Sequence, residues 1–370
     1  MSRRSSEPPH PRPRAERTRG PVFGRRFYSW AVVALFFILM VLVAALLWLL
    51  RPVDITQRGG VTQSGIEPVF ALYGPGSGKR PLFDKPVAAA WGPTGRIYVA
   101  DSKNNRIVVF NNEGRYLRQF GEFGIAKPSA GSKATWKPGR LNYPTGVATD
   151  SNGDVYVADF NNDSISVFTA DGAFLRRFPD PNRPTGLGSS GAGGTGIAVT
   201  SVAVSGGKVY AADAYQIFVF DTSGKLLKRL GRPGLGPNGL DHPNGIAVDS
   251  KGRIFVSDSN HNRITAFSPD GQVLWNTGAP ITSLQSVSTN LFVLPRGVTV
   301  LSEREILVAD PLAHQLVKLT TAGKFVANYG SRGEEPGQVN FPTGLAARGR
   351  LILVADKENN RVQAVRLVGP

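Results

Sequence analysis

"PTGVATDSNGDVYVADFNNDSISVFTADGAFLRRF", Pro144 to Phe178, decides the fold. Its runs "VYVAD", "ISVF" and "FLRRF" are strand-length, and "SNGD" and "ADGA" between them are turn sequences. With "PTGVATD" in front, the stretch reads as an antiparallel meander of four strands. It is not alone. "PVAAAWGPTGRIYVADSKNNRIVVFNNEGRYLRQFG" begins at Pro86, "PNGIAVDSKGRIFVSDSNHNRITAFSPDGQVLWNTG" at Pro243, and weaker copies begin at Val199, Pro295 and Pro342, making six. A four-stranded sheet of this size cannot cover both of its faces by itself. Six of them around a common axis can, each covering its neighbours, and the expected fold class is all-β, a six-bladed β-propeller.

The spacing agrees. The aspartate closing the second strand recurs as Asp101, Asp159, Asp213, Asp258, Asp310 and Asp356, at intervals of 58, 54, 45, 52 and 46 residues. The shortest interval approximates the bare repeat. The excess falls in connections 122–141, 179–197 and 279–291, rich in Gly, Ser, Pro and Lys and expected as surface loops.

The pattern Pro-x-Gly-apolar-Ala-x-Asp, then "VAD", then Asn-x-Arg, then a terminal Phe-Gly, resembles the NHL-repeat six-bladed propellers over about residues 67–368. "DSKNNRI" (Asp101–Ile107), "DSNHNRI" (Asp258–Ile264) and "DKENNRV" (Asp356–Val362) carry it best, whereas "DFNNDSI" lacks the Arg, "DAYQIF" is shorter, and "DPLAHQL" lacks both Asn and Arg. Within that family the chain resembles bacterial membrane-tethered propellers, including the extracytoplasmic sensor propellers of certain receptor kinases. The fold itself implies no single activity.

Each repeat ends in an outer strand such as "YLRQFG" or "FVANYG", but the sixth stops after "RVQAVRLVGP" with three strands. "VFALYG", Val69 to Gly74, looks like the fourth. Residues 67–74 are expected to pair beside Val362–Leu367 and close the ring with both ends of the chain, hiding its last open edge.

Ahead of the repeats, "WAVVALFFILMVLVAALLWLL" (Trp30–Leu50) has no charged side chain over 21 residues, enough at about 1.5 Å per residue to span a bilayer core of roughly 30 Å. Eight arginines precede it, from Arg3 to Arg26, and only Arg51 and Arg58 follow closely. That bias puts the N-terminus in the cytoplasm and the repeats outside. The expected organisation is a disordered basic cytoplasmic tail (1–26), a transmembrane anchor helix (27–50), a linker (51–66) and the propeller (67–370). Of the +16 formal charge, residues 1–58 hold +7, ten basic against three acidic side chains. The remainder is a mixed, mildly basic surface. Eukaryotic NHL propellers bind single-stranded RNA on a basic face, but a location outside the membrane argues against nucleic acid. The partners expected are the lipid bilayer, through 27–50, and a protein, peptide or anionic envelope polymer.

Cysteine is absent, which removes disulfides and thiolate chemistry. Among propellers of similar shape, peptidyl-hydroxyglycine amidating lyases hold zinc through histidines at the centre, and lactonases hold calcium through carboxylates and amides. The Pro-x-Gly positions here are Val87, Thr145, Thr200, Asn244, Arg296 and Thr343, with no histidine or carboxylate among them. His242, His261 and His314 read as solvated loop residues. No metal, cofactor or catalytic set is expected. The reading is a non-catalytic binding, scaffold or sensor module, with a metal-dependent lyase or hydrolase at the channel mouth as the alternative. Thr145, Asn244, Arg296 and Thr343 are the candidate ligand-binding residues of the channel. Arg106, Arg263 and Arg361 either brace the blade edges or offer guanidinium groups to an anionic ligand at the mouth. The six aspartates are expected to be structural, each accepting backbone N–H groups from the turn that follows it.

Overall fold

The computed structural model describes residues 35, 38–42, 65–75, 82–126, 133–179, 198–278 and 291–369. The chain divides into two units, Met1–Asp54 and Ile55–Pro370. Of the first unit, the described residues are helical and exposed. Most of the expected anchor 27–50 lies outside the described residues, as do the tail 1–26, linker residues 51–64 and most of connections 179–197 and 279–291. No helix among the described residues is long and apolar enough to cross a membrane.

The second unit contains six antiparallel four-stranded sheets. Blade one is built from Pro86–Trp91, Ile97–Asp101, Arg106–Phe110 and Tyr116–Phe120; blade two runs from Pro144–Thr149 to Phe174–Phe178 in the same order. Blades three, four and five begin at Ser201, Pro243 and Val298. Blade six is composite. Pro342–Arg348, Leu351–Asp356 and Arg361–Val368 come from the end of the chain, and its fourth strand is Gly65–Leu72, antiparallel to Arg361–Val368 with Gly65 opposite Val368 and Leu72 opposite Val362. The closing strand therefore starts two residues before the expected 67–74, ends two residues before Gly74, and pairs with Arg361–Val368.

Two strands of each blade are sandwiched between neighbours, which explains why "IYVAD" and "RIVVF" are apolar almost throughout and buried at every position. The outer strand faces water, so Tyr116–Phe120 is exposed at its three central residues and half-buried only at Tyr116 and Phe120. Six buried clusters fill the spaces between adjacent blades. One joins blades one and two through Tyr98, Ile107, Val147, Val157 and Phe168, and another joins blades six and one through Leu353, Val362, Ile97, Phe110 and Leu72. Leu72 thus places the N-terminal strand inside the seam it closes. Burial of side chains of this size is worth about 1.5–3 kcal/mol each, so an unclosed ring would expose a whole seam.

In four blades the third residue of the motif is a glycine, Gly146, Gly245, Gly297 or Gly344, where the innermost strands crowd the axis, while Ala88 and Ser201 stand there in blades one and three. A Cβ on Gly245 would lie 2.0 Å from the Arg296 carbonyl, one on Gly297 2.2 Å from that of Thr343, and one on Gly344 2.5 Å from that of Val87. Only a residue without a side chain lets neighbouring first strands approach so closely.

Candidate functional site

The repeat aspartates are all buried, at 2% exposure or less. One oxygen of each accepts a backbone N–H, but from the lead-in to the same blade, 15–17 residues earlier in the chain, rather than from the following turn. The donors are Asp84 to Asp101, Asn142 to Asp159, Ala198 to Asp213, Asp241 to Asp258, Val293 and Leu294 to Asp310, and Asn340 to Asp356. Each aspartate therefore fixes the start of its own blade's first strand.

In the three complete motifs the other oxygen receives the arginine five residues on, Arg106 Nε at 2.7 Å, Arg263 Nε at 2.8 Å and Arg361 Nε at 2.7 Å. Of the remaining guanidinium nitrogens, those of Arg106 donate to the Leu82 carbonyl and to Gln119 Oε1 on the outer strand, and those of the other two to lead-in carbonyls, Gly236 and Gly239 for Arg263 and Glu334, Glu335 and Gln338 for Arg361. All three arginines are buried. The structure therefore corrects their reading as ligand-binding groups: their donors are engaged by their own blades, and none lines the channel. Asp101 and Asp356 keep carboxyl pKa values above the usual range even so, because burial outweighs the hydrogen bonds and the arginine charge.

Blade two lacks that arginine, with Ser164 in its place. Asp159 is held by Asn162 Nδ2 at 2.8 Å and Asn142 N–H, and the nearby charge is Arg177 on the outer strand, whose guanidinium lies 4.2 Å from the Trp136 ring centroid. Burial pushes the Asp159 carboxyl up to about 7. Arg177 has no sequence signature that marks it for this place.

The residue before each complete-motif arginine, and its counterparts, takes the left-handed conformation: Asn105, Asp163, Asn262, His314 and Asn360 have φ of 49–54°. Asn and Asp tolerate this region best. Several of these side chains also reach the next blade. Asn105 Oδ1 accepts from Tyr143 N–H at 2.8 Å, His314 Nδ1 from Phe341 N–H at 3.2 Å, Asn360 Oδ1 from Lys85 N–H at 2.9 Å, and Asn262 Nδ2 donates to the Val293 carbonyl.

Two of the three histidines are not solvated loop residues, since His261 is buried and His314 half-buried, whereas His242 is exposed in its loop. His261 is buried with Nδ1 2.7 Å from Asp258 Oδ2, in the place Asn104 and Asn359 hold in other blades. His314 caps the blade-six lead-in, and burial lowers its pKa. His242 stands at the channel with Nδ1 2.5 Å from Asp241 Oδ1.

At the axis, the six first strands enclose a cavity of about 290 Å³. Its lining includes all six Pro-x-Gly residues, so the structure brings Thr145, Asn244, Arg296 and Thr343 together, and adds Tyr143, Phe160 and His242, which sequence reasoning missed. Most of these polar groups bind the next blade. Thr145 Oγ1 donates to the Val199 carbonyl at 3.1 Å, Thr200 Oγ1 to Pro243 at 2.5 Å and Thr343 Oγ1 to Val87 at 2.8 Å. Where the position holds Val87 or Asn244, a serine in the following turn takes over: Ser102 Oγ donates to Pro144 and Ser259 Oγ to Pro295, each at 2.6 Å. In blade five the donor is the Gly297 N–H, to the Thr343 carbonyl at 2.7 Å. No carboxylate among the described residues lines the cavity. Among the described residues no three His, Asp or Glu side chains are grouped to hold a metal ion.

The NHL repeat model matches residues 83–110, 141–168, 240–267 and 339–364. The chain is 35% identical over 161 residues to the B-box type zinc finger protein ncl-1 of Caenorhabditis elegans, covering 43% of this chain and 16% of that protein. It is 28% identical over 166 residues to the protein brain tumor of Drosophila melanogaster, covering 44% and 14%. With NHL repeat-containing protein 3 of Mus musculus the identity is 30% over 189 residues, covering 47% and 52%. The chain thus spans about half or less of these relatives, all animal proteins; they lend nothing to the bacterial resemblance. Among solved structures it superposes on virginiamycin B lyase from Staphylococcus aureus with TM-score 0.51 at 15% identity, over 80% of this chain and 83% of that one. At such identity the likeness is one of fold. With four repeats matched, six sheets closed by the N-terminal strand and the repeat aspartates in one shared role, the chain is a six-bladed β-propeller that carries NHL repeats in four of its blades.

Proposed function

We propose that the chain is a non-catalytic binding module, mounted on a membrane through residues 27–50 with the propeller on the extracytoplasmic side, and that a protein or peptide partner engages the channel mouth. The observation that carries this is the composition of the cavity. Six first strands converge there and present aromatic, hydroxyl and amide groups with one guanidinium, while the repeat carboxylates are all held in backbone contacts outside it. A concave, mixed lining of this kind suits recognition. The apolar run Trp30–Leu50 and the arginines before it support the membrane mounting and its orientation.

A photo-crosslinking residue at Tyr143 of the full-length protein in its native membranes tests the reading. A discrete protein or peptide adduct is expected at Tyr143 and not at Leu227 on an outer strand. Equal adducts at both, or none at Tyr143, would contradict it, and an adduct that is polymer rather than protein would replace the partner with an envelope polymer.

A second reading rests on His242. Asp241 and Asn260 both contact its Nδ1, at 2.5 and 3.1 Å, an arrangement that orients an imidazole for proton transfer through Nε2 at the channel. It would make the chain an acid–base lyase. Turnover of a cyclic ester or peptide that disappears in His242→Ala would establish it.

A further inference from the structure

We propose that the central channel takes a carboxylate, anchored by the guanidinium of Arg296. The inference rests on the channel being the ligand site and names the chemistry that site recognises.

The five other blades use a side-chain hydroxyl near the axis to bind the next blade, from Thr145, Thr200, Thr343, Ser102 or Ser259. Blade five does the same with a backbone N–H, that of Gly297. The side chain at its Pro-x-Gly position is thereby released from holding the ring together, and it is an arginine. Among the described residues the Arg296 guanidinium has no hydrogen bond and no ion pair, and its Nε is buried without a partner. The ionised partner it would need is missing from the cavity wall, where the described residues include no Asp or Glu.

Arg296 is half-buried, and withdrawing a guanidinium even partly from water without a counter-charge is costly. Burial accordingly lowers its pKa, with Tyr143 acting the other way. A second cation stands near: Lys357 is destabilised in part by the Arg296 charge, and by Lys85. Lys357 already lies 4.9 Å from the Phe341 ring centroid and 3.7 Å from Glu358, and Lys85 pairs with Glu358 as well. Only the charge of Arg296 is left over in the channel among the described residues. One planar guanidinium matches one carboxylate through paired N–H···O bonds. A phosphate dianion would call for a second cation in the wall, which the cavity does not provide. Tyr143 and Phe160 line the same cavity and suit a carboxylate borne on an apolar or aromatic body.

The test uses the full-length protein in detergent, titrated with benzoate, with its uncharged isostere benzamide and with phenylphosphonate, by calorimetry and thermal melting. Benzoate should bind and raise the melting temperature with concentration; benzamide should not. Arg296→Gln should weaken benzoate binding by about tenfold to a hundredfold, the loss of one charge-assisted pair. That variant should melt no lower than the parent, because it removes an uncompensated buried charge. Benzamide binding as tightly as benzoate would leave the channel a ligand site and overturn the carboxylate. So would an unchanged benzoate affinity in Arg296→Gln. Tighter binding of phenylphosphonate than of benzoate would replace the carboxylate with a phosphate. No response to any of the three would overturn both this inference and the reading of the channel beneath it.

Discussion

Asp159 gives the propeller a pH dependence of unusual sign. Its carboxyl is fully buried, and its pKa rises from an ordinary 3.8 to about 7, because desolvation outweighs the hydrogen bonds from Asn162 and Asn142 and the charge of Arg177. Between about pH 4 and 7 the folded state therefore binds the extra proton, so stability from this group is complete below the lower value and falls as pH rises through the upper one. One pKa unit corresponds to about 1.4 kcal/mol, and from pH 5 to pH 8 the folded protein should lose about 3 kcal/mol at this residue. Asp159→Asn cannot ionise. Its amide oxygen still accepts the Asn142 N–H, while its amide nitrogen meets that of Asn162, which Gly124 and Ala126 hold in place, a cost that does not change with pH. Urea unfolding of both proteins at pH 5, 6, 7 and 8, followed by tryptophan fluorescence, isolates this contribution, because every other ionisable group is common to both and cancels in the difference. The variant should gain on the parent as pH rises, by about 3 kcal/mol in all. A difference that stays constant across the series, or shifts in the parent's favour at pH 8, would refute the argument.

Other consequences follow from the same interactions. Arg361→Met strands the Asp356 carboxylate in the interior and frees three lead-in carbonyls, and should cost about 3–5 kcal/mol in urea unfolding at neutral pH. Gly297→Ala drives a methyl into the Thr343 carbonyl from 2.2 Å, so the two first strands must part; a loss of at least about 3 kcal/mol is expected, and a wild-type melting curve would contradict it. Deleting residues 65–72 exposes the edge of Arg361–Val368 and the Leu72 side of the seam, and the truncated protein should aggregate or melt markedly lower, as scattering and calorimetry would report.

The repeat and its closure were legible because periodicity and turn residues are local signals that six copies reinforce. So was the place of the Pro-x-Gly residues, since a glycine recurring at one position marks a close backbone approach and the neighbouring side chain goes with it. The partners of these groups were harder to read. The N–H that each aspartate binds lies 15–17 residues back along the chain, brought near only by the hairpin of first and second strands, and a reading of adjacent residues selects the following turn instead. Arg106, Arg263 and Arg361 looked available because a charged side chain beside a turn usually faces water. Here the lead-in loop folds over each one and supplies the carbonyls that hold it. Tyr143 and His242 joined the channel through lead-in residues with φ of 57° and 50°, ahead of proline, a conformation that no composition rule assigns to them. Arg177 replaces a missing arginine from a different strand, and only the folded blade shows that the two positions meet.

The central claim is that the axial channel is a ligand site governed by Arg296, and the absence of cysteine from the chain allows a direct test. Val87 lines the channel and has no polar side-chain role, so Val87→Cys provides a single thiol at the site. The rate at which a maleimide labels this thiol in the full-length protein measures access to the channel. The account predicts that benzoate slows labelling in a saturable manner and that adding Arg296→Gln abolishes the protection. Labelling that is indifferent to benzoate, or protection that survives the loss of Arg296, would contradict it.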